Sequence, residues 1–350
     1  MIQRERTGHV TKWRGTVGLL LVLLLAIVSS ACGNNANQAG NTESSPSASE
    51  SPSASPAATS EEPTTQVIKH GYGETEIPLH PKRVAVIGLE DVMLSLGAPL
   101  VYAYGFDGYY LYDQLKEQNV QLSNSADLTP NLEAILDTQP DLIVLQQYFT
   151  DEKGYQELSK IAPTIAFKPD DWKTSITEIG KALGLEDKAQ EVIKANEDKI
   201  SSAKEEIVSA VGPDKTVLYI RPSDKDLQVF FPSFMPLLYE KLGLNPDASV
   251  TAFQKDAEDD WGVNTSLEKL PSITADYVFA IYGGSISSPE DYEKEVAAQS
   301  GVEKLQVWKA MPAVQQNHVF KVSARTWMSS GPIAEGHIID DTVAAVTGKQ

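Results

Sequence analysis

The side chains in this sequence that could do chemistry are rings and guanidinium groups, not a catalytic set. There is no G-x-S-x-G elbow, H-E-x-x-H pair, P-loop or G-x-G-x-x-G turn. His9 lies near the start of the chain; His70, His80, His318 and His337 are scattered, each placed as a surface or capping residue, and no carboxylate pair announces itself. A bound transition metal would need clustered imidazoles and carboxylates with partners to orient them. What recurs instead is aromatic and cationic residues just after apolar runs. In the first half these are Tyr104, Phe106, Tyr109, Tyr110 and Tyr112, then Gln147-Tyr148-Phe149, then Lys168 and Trp172. In the second they are Arg221, Phe230-Phe231, Trp261, Tyr282 and Arg325-Thr326-Trp327-Met328. Tyr112 and Phe230 read as rings that cover a core edge. Arg221 and Arg325 each follow an apolar strand, where a guanidinium is costly without a partner. Such residues suit binding of a polar, partly apolar ligand, and no metal site is expected.

The elements that must carry these residues alternate. Residues 83–88 read as a buried strand ending at Gly88, 91–97 as a helix stopped by Gly97, and 100–104 as the next strand. A short helix at 132–136 and a strand at 141–145 follow. A second series begins with a turn at 213–215 and a strand at 216–220. It continues with a helix at 236–243, a strand at 276–281, a helix at 302–308, a strand at 318–322 and a closing helix at 333–346. Strands alternating with helices predict mainly parallel sheets covered on both faces. The expected fold is α/β, with two Rossmann-like lobes. In open sheets of this kind ligands gather at the carboxyl ends of the strands. Two lobes facing each other would therefore form a cleft. Its candidate ligand contacts are Tyr104, Tyr148, Trp172, Arg221, Trp261, Tyr282, Arg325 and Trp327.

The two series share a motif. Leu132-Glu133 is followed by Asp141, and Leu267-Glu268 by Asp276, each Asp opening an apolar strand. The copies lie 135 residues apart, which suggests a duplicated lobe. Between the series, 174–184 reads as a helix stopped by Gly184, and 186–211 holds neither Gly nor Pro. Ala189, Val192, Ile193, Asn196, Ile200, Ala203, Ile207 and Val211 fall on one helical face. Such a helix would be a bar ~39 Å long resting along both lobes.

The ends add a location. Arg4, Arg6, Lys12 and Arg14 precede an apolar stretch at 17–28 and the small residues Ser29, Ser30 and Ala31. This order reads as a secretory signal, the apolar core being only ~18 Å long as a helix. The alternative is a membrane-spanning anchor. Cys32 is the only cysteine and so cannot join an internal disulfide. Its setting resembles a bacterial lipobox, although Ser29 stands where a leucine is usual; the resemblance implies an acylated Cys32. Residues 34–66 are mostly Ser, Pro, Ala, Thr, Glu and Asn and read as a flexible tether. Without residues 1–31 the formal net charge falls from −19 to −22, because four basic residues and Glu5 leave with them. Such a surface repels phosphate backbones, so nucleic acid is an improbable partner. The expected organisation is a signal at 1–31, lipidated cysteine and tether at 32–66, a first lobe at 67–173, linking helices at 174–212 and a second lobe at 213–350.

Several short segments in this order resemble the ferric-siderophore, haem and cobalamin binding proteins of ABC importers. They are Pro81-Lys82-Arg83-Val84, Leu96-Gly97, Pro130-Asn131-Leu132-Glu133, Pro140-Asp141-Leu142-Ile143 and Ala182-Leu183-Gly184. In the second half they are Ser266-Leu267-Glu268-Lys269-Leu270, Ala275-Asp276, and 308–314 running into His318-Val319. The resemblance implies two lobes joined by one long helix, no enzymatic activity and no cofactor. It implies a monomeric, lipid-anchored receptor on the extracellular face of the cytoplasmic membrane. It also implies that Glu133 and Glu268 each meet an arginine pocket on one permease half. The ligand expected is an iron(III)-siderophore complex. Loops rich in rings and modest in charge favour a hydroxamate over a tris-catecholate chelate. A haem or cobalamin receptor is the alternative, and an exported hydrolase a distant one.

Overall fold

The computed structural model describes residues 64–123, 129–168, 171–255, 257–284 and 288–348. The signal, Cys32 and nearly all of the tether lie outside these residues. A hairpin of β1 (Thr65–His70) and β2 (Gly73–Pro78) opens the described chain. It takes in Thr65 and Gln66, which composition assigned to the tether; the Gln66 amide donates to the Ala182 carbonyl at 2.9 Å.

The first sheet follows as β3 (Val84–Ile87), α1 (Glu90–Leu96), β4 (Leu100–Tyr104), α2 (Tyr112–Glu117), β5 (Gln121–Ser123), α3 (Leu132–Asp137), β6 (Leu142–Gln146), α4 (Glu152–Ser159) and β7 (Thr164–Phe167). Its strands are all parallel, in the order β5-β4-β3-β6-β7. Alternate side chains serve opposite faces, as strand geometry requires. Leu142 and Val144 join one buried cluster with α1, while Ile143 and Leu145 join the other with Ile135 and Leu158.

Next come α5 (Trp172–Leu183) and α6 (Glu186–Val211). The long helix has the predicted bounds, but α5 starts two residues before Thr174 because Asp171 caps it. The second sheet is built from β8 (Thr216–Pro222), β9 (Asp226–Phe230), β10 (Asn245–Pro246), α7 (Ala248–Gln254), β11 (Gly262–Ser266), β12 (Tyr277–Tyr282), α8 (Pro289–Gln299), α9 (Gln306–Lys309), α10 (Pro312–Gln315), β13 (Val319–Ser323), α11 (Ala324–Trp327) and α12 (Pro332–Thr347). Its order is β11-β9-β8-β12-β13, with β10 beside β8. Strands β9 and β11 are antiparallel additions that the sequence reading did not place.

Two expected helices differ in form. The 236–243 segment is a single π-helical stretch, Leu237–Lys241. The 302–308 segment is broken: a 3-10 turn, Ser300–Lys304, meets α9 through Leu305, whose ψ is 144°. In one α-helix Val302 and Trp308 would point about 120° apart. The break lets both sink into the same core, at 0% and 4% exposure.

The lobes are joined twice. Ala189, Val192 and Ile193 of α6 pack on the first core, and Ile200, Ala203 and Ile207 on the second. The final helix also crosses: Ile333 packs on the first core and Ile338, Ile339 and Val346 on the second. No described helix is long and apolar enough to cross a membrane.

Candidate functional site

The site grows from the ends of the strands. The Glu90 carboxylate accepts the backbone N–H groups of Gly88 at 3.0 Å and Tyr104 at 3.2 Å, so it ties the end of β3 to the end of β4. Burial raises its pKa, and those amides oppose the rise. From Tyr104 a run of rings continues through Phe106, Tyr109 and Tyr110, with centroids 4.9 to 5.8 Å apart. The Tyr104 hydroxyl is buried and has no hydrogen-bond partner among the described residues.

Facing this run is α11. Its cap, the Ser323 hydroxyl, accepts the Arg325 N–H at 3.2 Å. The Arg325 guanidinium lies 4.0 Å from the Tyr292 ring of its own lobe and 4.7 Å from the Phe106 ring of the other. It passes so close to Gly108 that a Cβ there would collide with it. A guanidinium between two rings gains cation–π attraction on both faces. Arg325 therefore bridges the lobes.

On the other side of α11 lies a cavity of about 430 Å³. Trp172 and Lys173 at the start of α5 form one wall, and Phe234, Met235, Pro236 and Leu237 another. Trp327, Met328, Ser329, Ser330, Glu335 and Ile338 complete it, with Asp171 and Lys241 at the rim. Both cations are already engaged: Lys173 pairs with Glu197 at 2.8 Å and Lys241 with Glu335 at 3.6 Å. Trp327 is fixed by its indole N–H, which donates to Asp341 at 2.8 Å, and by stacking on Phe279 at 4.8 Å. It is mainly a core residue, and Trp172 likewise packs in the first core. The volume falls within the range of small-molecule sites, and the lining is mainly apolar.

The segment between these groups is anchored across the lobes. Asp91 of α1 accepts the N–H groups of Ile333 and Ala334 at 2.9 Å each, and the Tyr110 hydroxyl donates to it at 2.9 Å. A carboxylate from the first lobe thus caps α12, whose N-cap residue Gly331 has no side chain to do so. Gly331 has φ 145° and lies against Asp91, where a Cβ would strike the carboxyl group. Burial pushes the Asp91 pKa up to about 6, against the three hydrogen bonds.

The structure thus brings some of the expected contacts together. Tyr104 and Arg325 meet through the ring cluster, and Trp172 and Trp327 share the cavity. Trp261 stands behind the cavity, its ring 6.4 Å from that of Phe234. Arg221 donates to the Gly283 carbonyl at 2.8 Å, close to Tyr292, against which Gly283 packs. Tyr282 is buried, its hydroxyl donating to Glu303 at 3.0 Å, and Tyr148 is 64% exposed; neither lines the cavity or joins the Arg325 cluster. The sequence reading passed over Phe234, Met235, Tyr292 and Asp91. Period-two alternation in Asp-Leu-Gln-Val-Phe marks β9 and would have pointed to Phe234 beyond it.

The duplicated motif has a shared structural task. Asp141 accepts the N–H groups of Lys82 and Arg83, and Asp276 accepts that of Thr216, so each fastens the chain entering β3 or β8. Glu133 and Glu268 are both exposed and both follow a capping residue, Asn131 or Ser266. No cluster of metal-ligating residues occurs among the described residues.

Two α/β lobes that share a ring-lined cleft and are joined along their backs define a solute-binding protein. The profile of the periplasmic binding protein family matches residues 94–326. The iron(3+)-hydroxamate-binding protein FhuD of Bacillus subtilis (strain 168) is 33% identical over 341 residues, spanning 94% of this chain and 96% of its own. The probable siderophore-binding lipoprotein YfiY of the same strain is 28% identical, with 93% and 96% covered. A FhuD fold-family component of a Fep/Fec-like ferrichrome ABC transporter from Bacillus subtilis superposes with a TM-score of 0.66 at 29% identity, covering 80% of this chain and 99% of that one. The chain belongs to the periplasmic binding protein family, a family of non-enzymatic substrate-binding proteins.

Proposed function

We propose that the protein captures a ferric siderophore of the hydroxamate type and delivers it to an ABC permease. The observation that carries this reading is the cavity between Trp172 and Trp327: its walls are rings, methionines and serines, and its cations are already ion-paired. A tris-catecholate complex carries a high negative charge and would need uncompensated cations, whereas a near-neutral hydroxamate complex needs apolar walls and a few polar contacts. The relatives named for iron-hydroxamate, siderophore or ferrichrome systems support the same class. In this reading Trp172 and Trp327, backed by Trp261, line the ligand's cavity, and Arg325, held in the Tyr104 ring cluster on the far side of α11, fixes that helix in place. Exposed Glu133 and Glu268 meet the two permease halves. The protein acts as a monomer held to the outer face of the cytoplasmic membrane by a lipid on Cys32, with residues 32–66 as its tether.

The test is titration of intrinsic tryptophan fluorescence with ferrioxamine, a ferric catecholate, haem and cobalamin. Ferrioxamine should quench most strongly at the lowest concentration, because Trp172 and Trp327 line the cavity. Tightest binding of the catecholate, haem or cobalamin would replace the hydroxamate assignment. Silence with all four would remove the siderophore reading.

A further inference from the structure

Among the described residues five large apolar side chains are exposed: Val67, Leu132, Leu136, Tyr148 and Leu305. Two of them lie on the six-residue helix α3, on either side of Glu133. Leu132 is 38% and Leu136 57% exposed, and a spacing of four places both on one helical face. The same helix buries Ile135 completely, so the leucines are not needed to hold it on its sheet. A largely polar depression bounded by Leu136, Asp137, Gln139, Pro140 and Ile161 adjoins the patch.

The matching element of the second lobe is built differently. There Leu267–Ser272 is a 3-10 helix, with three residues per turn, so Leu267 and Leu270 share the inward face. Leu270 is fully buried and Leu267 packs on the core. Exposed Pro271 stands at the position of Leu136, and exposed Lys269 follows Glu268 directly. Neither Glu133 nor Glu268 has an ion-pair partner among the described residues. One carboxylate is thus set in an apolar rim, and the other beside a cation.

We propose that Leu132 and Leu136 form an apolar docking shoulder that seats the first lobe, and not the second, against the permease. The proposal rests on the docking reading given above and adds an orientation to it. A carboxylate beside a pair of leucines fits an arginine on a partner's apolar shelf, because a guanidinium is weakly hydrated and tolerates apolar surroundings better than an ammonium group. Continuity with Glu133 selects the permease as the occupant over a second copy of the chain or a lipid surface. Burying the leucines contributes affinity that salt does not screen, whereas the Glu268 contact, beside Lys269, is mainly electrostatic. The two ends of the receptor are therefore not interchangeable on the transporter.

The test measures binding of the ferrioxamine-loaded receptor to the permease reconstituted in lipid nanodiscs, with empty nanodiscs in parallel. The variants are L132S/L136S, E133A, and L305S as a control with the same 38% exposure as Leu132. L132S/L136S should weaken permease binding by about tenfold or more, by the same factor at low and high salt, whereas the loss caused by E133A should shrink as salt rises. Affinity for ferrioxamine and the melting temperature should be unchanged, and L305S should bind the permease normally. Normal permease binding by L132S/L136S, with E133A impaired, would overturn the shoulder and leave the docking reading standing. Normal binding by both would overturn the docking reading as well. Equal weakening by L305S, loss of ferrioxamine affinity, or an effect that appears on empty nanodiscs would each refute the assignment to the permease.

Discussion

Replacement of Asp91 by asparagine tests which of two opposing effects governs the tie between the lobes. The carboxylate is almost completely buried and sits at the amino end of α12, where two backbone N–H groups and the Tyr110 hydroxyl favour its charge. Burial opposes the charge, as does nearby Glu335, and burial is the larger effect, so the pKa is pushed up from 3.8 to about 6. A carboxyl group whose pKa is higher folded than unfolded favours the folded state when protonated. That contribution is fully present below pH 4 and is lost as pH rises through about 6. A rise of about two units corresponds to about 3 kcal/mol. The amide that D91N introduces cannot titrate, so the stability difference between wild type and D91N should move by about that amount between pH 4 and pH 8, toward the variant. For a folded body of this size, each kcal/mol shifts the melting temperature by roughly 2–4 °C. Calorimetric melting of both proteins across that range should therefore show their Tm difference change by roughly 6–12 °C. Groups common to the two proteins cancel in the comparison. A pH-independent difference, or a wild type that gains on D91N as pH rises, would refute the reasoning. The helix terminus would then outweigh burial.

Two further substitutions probe the same crossing. Gly331→Ala puts a methyl group against the Asp91 carboxyl at a φ that only glycine adopts easily, and should cost about 2 kcal/mol or more, seen as a Tm lower by roughly 5 °C; a melt within about a degree of wild type would mean that the segment shifts freely. Arg325→Ala removes the guanidinium between Phe106 and Tyr292 and should weaken ferrioxamine binding by about tenfold or more, with Arg325→Lys intermediate because it keeps the charge but not the planar stacking. Unchanged affinity in both would place the ligand away from α11.

What could be read in the sequence is what local physics determines. Helix α6 was legible to its ends because an amphipathic run without Gly or Pro lies between Gly184 and Gly212. Strand β4 was legible because five apolar or aromatic residues precede Gly105. Trp172 read as a loop residue because the helix start was placed at Thr174, whereas the Asp171 carboxylate accepts the Lys173 N–H and begins the helix earlier. The broken 302–308 segment defeated periodicity for another reason: the buried positions follow a core assembled from distant strands, not a repeat along the chain. Asp91 had no local signal at all, since its partners Ile333 and Ala334 are 242 and 243 positions distant. The aromatic lining was legible as a set but not as a grouping. Arg325 and Trp327 are two residues apart, yet the short helix that carries them sends one to the ring bridge and the other to the cavity.

That division has a mechanical consequence. The chain between β13 and α12 is held at one end by Ser323 and at the other by Asp91, and it carries both Arg325 and Trp327. With α6 and α12 each packed on both cores, the backs of the lobes are fixed to one another at two places. A hinge held at two places resists wide opening, so ligand capture must rely on local shifts of this strap and of the rings facing it. The same constraint holds α3 and the Leu267–Ser272 turn at a set spacing, since each is fastened to its own sheet by a buried residue, Ile135 or Leu270. In the docking proposed above, a permease would meet two carboxylates at a fixed separation, with the leucines of α3 distinguishing the first lobe from the second.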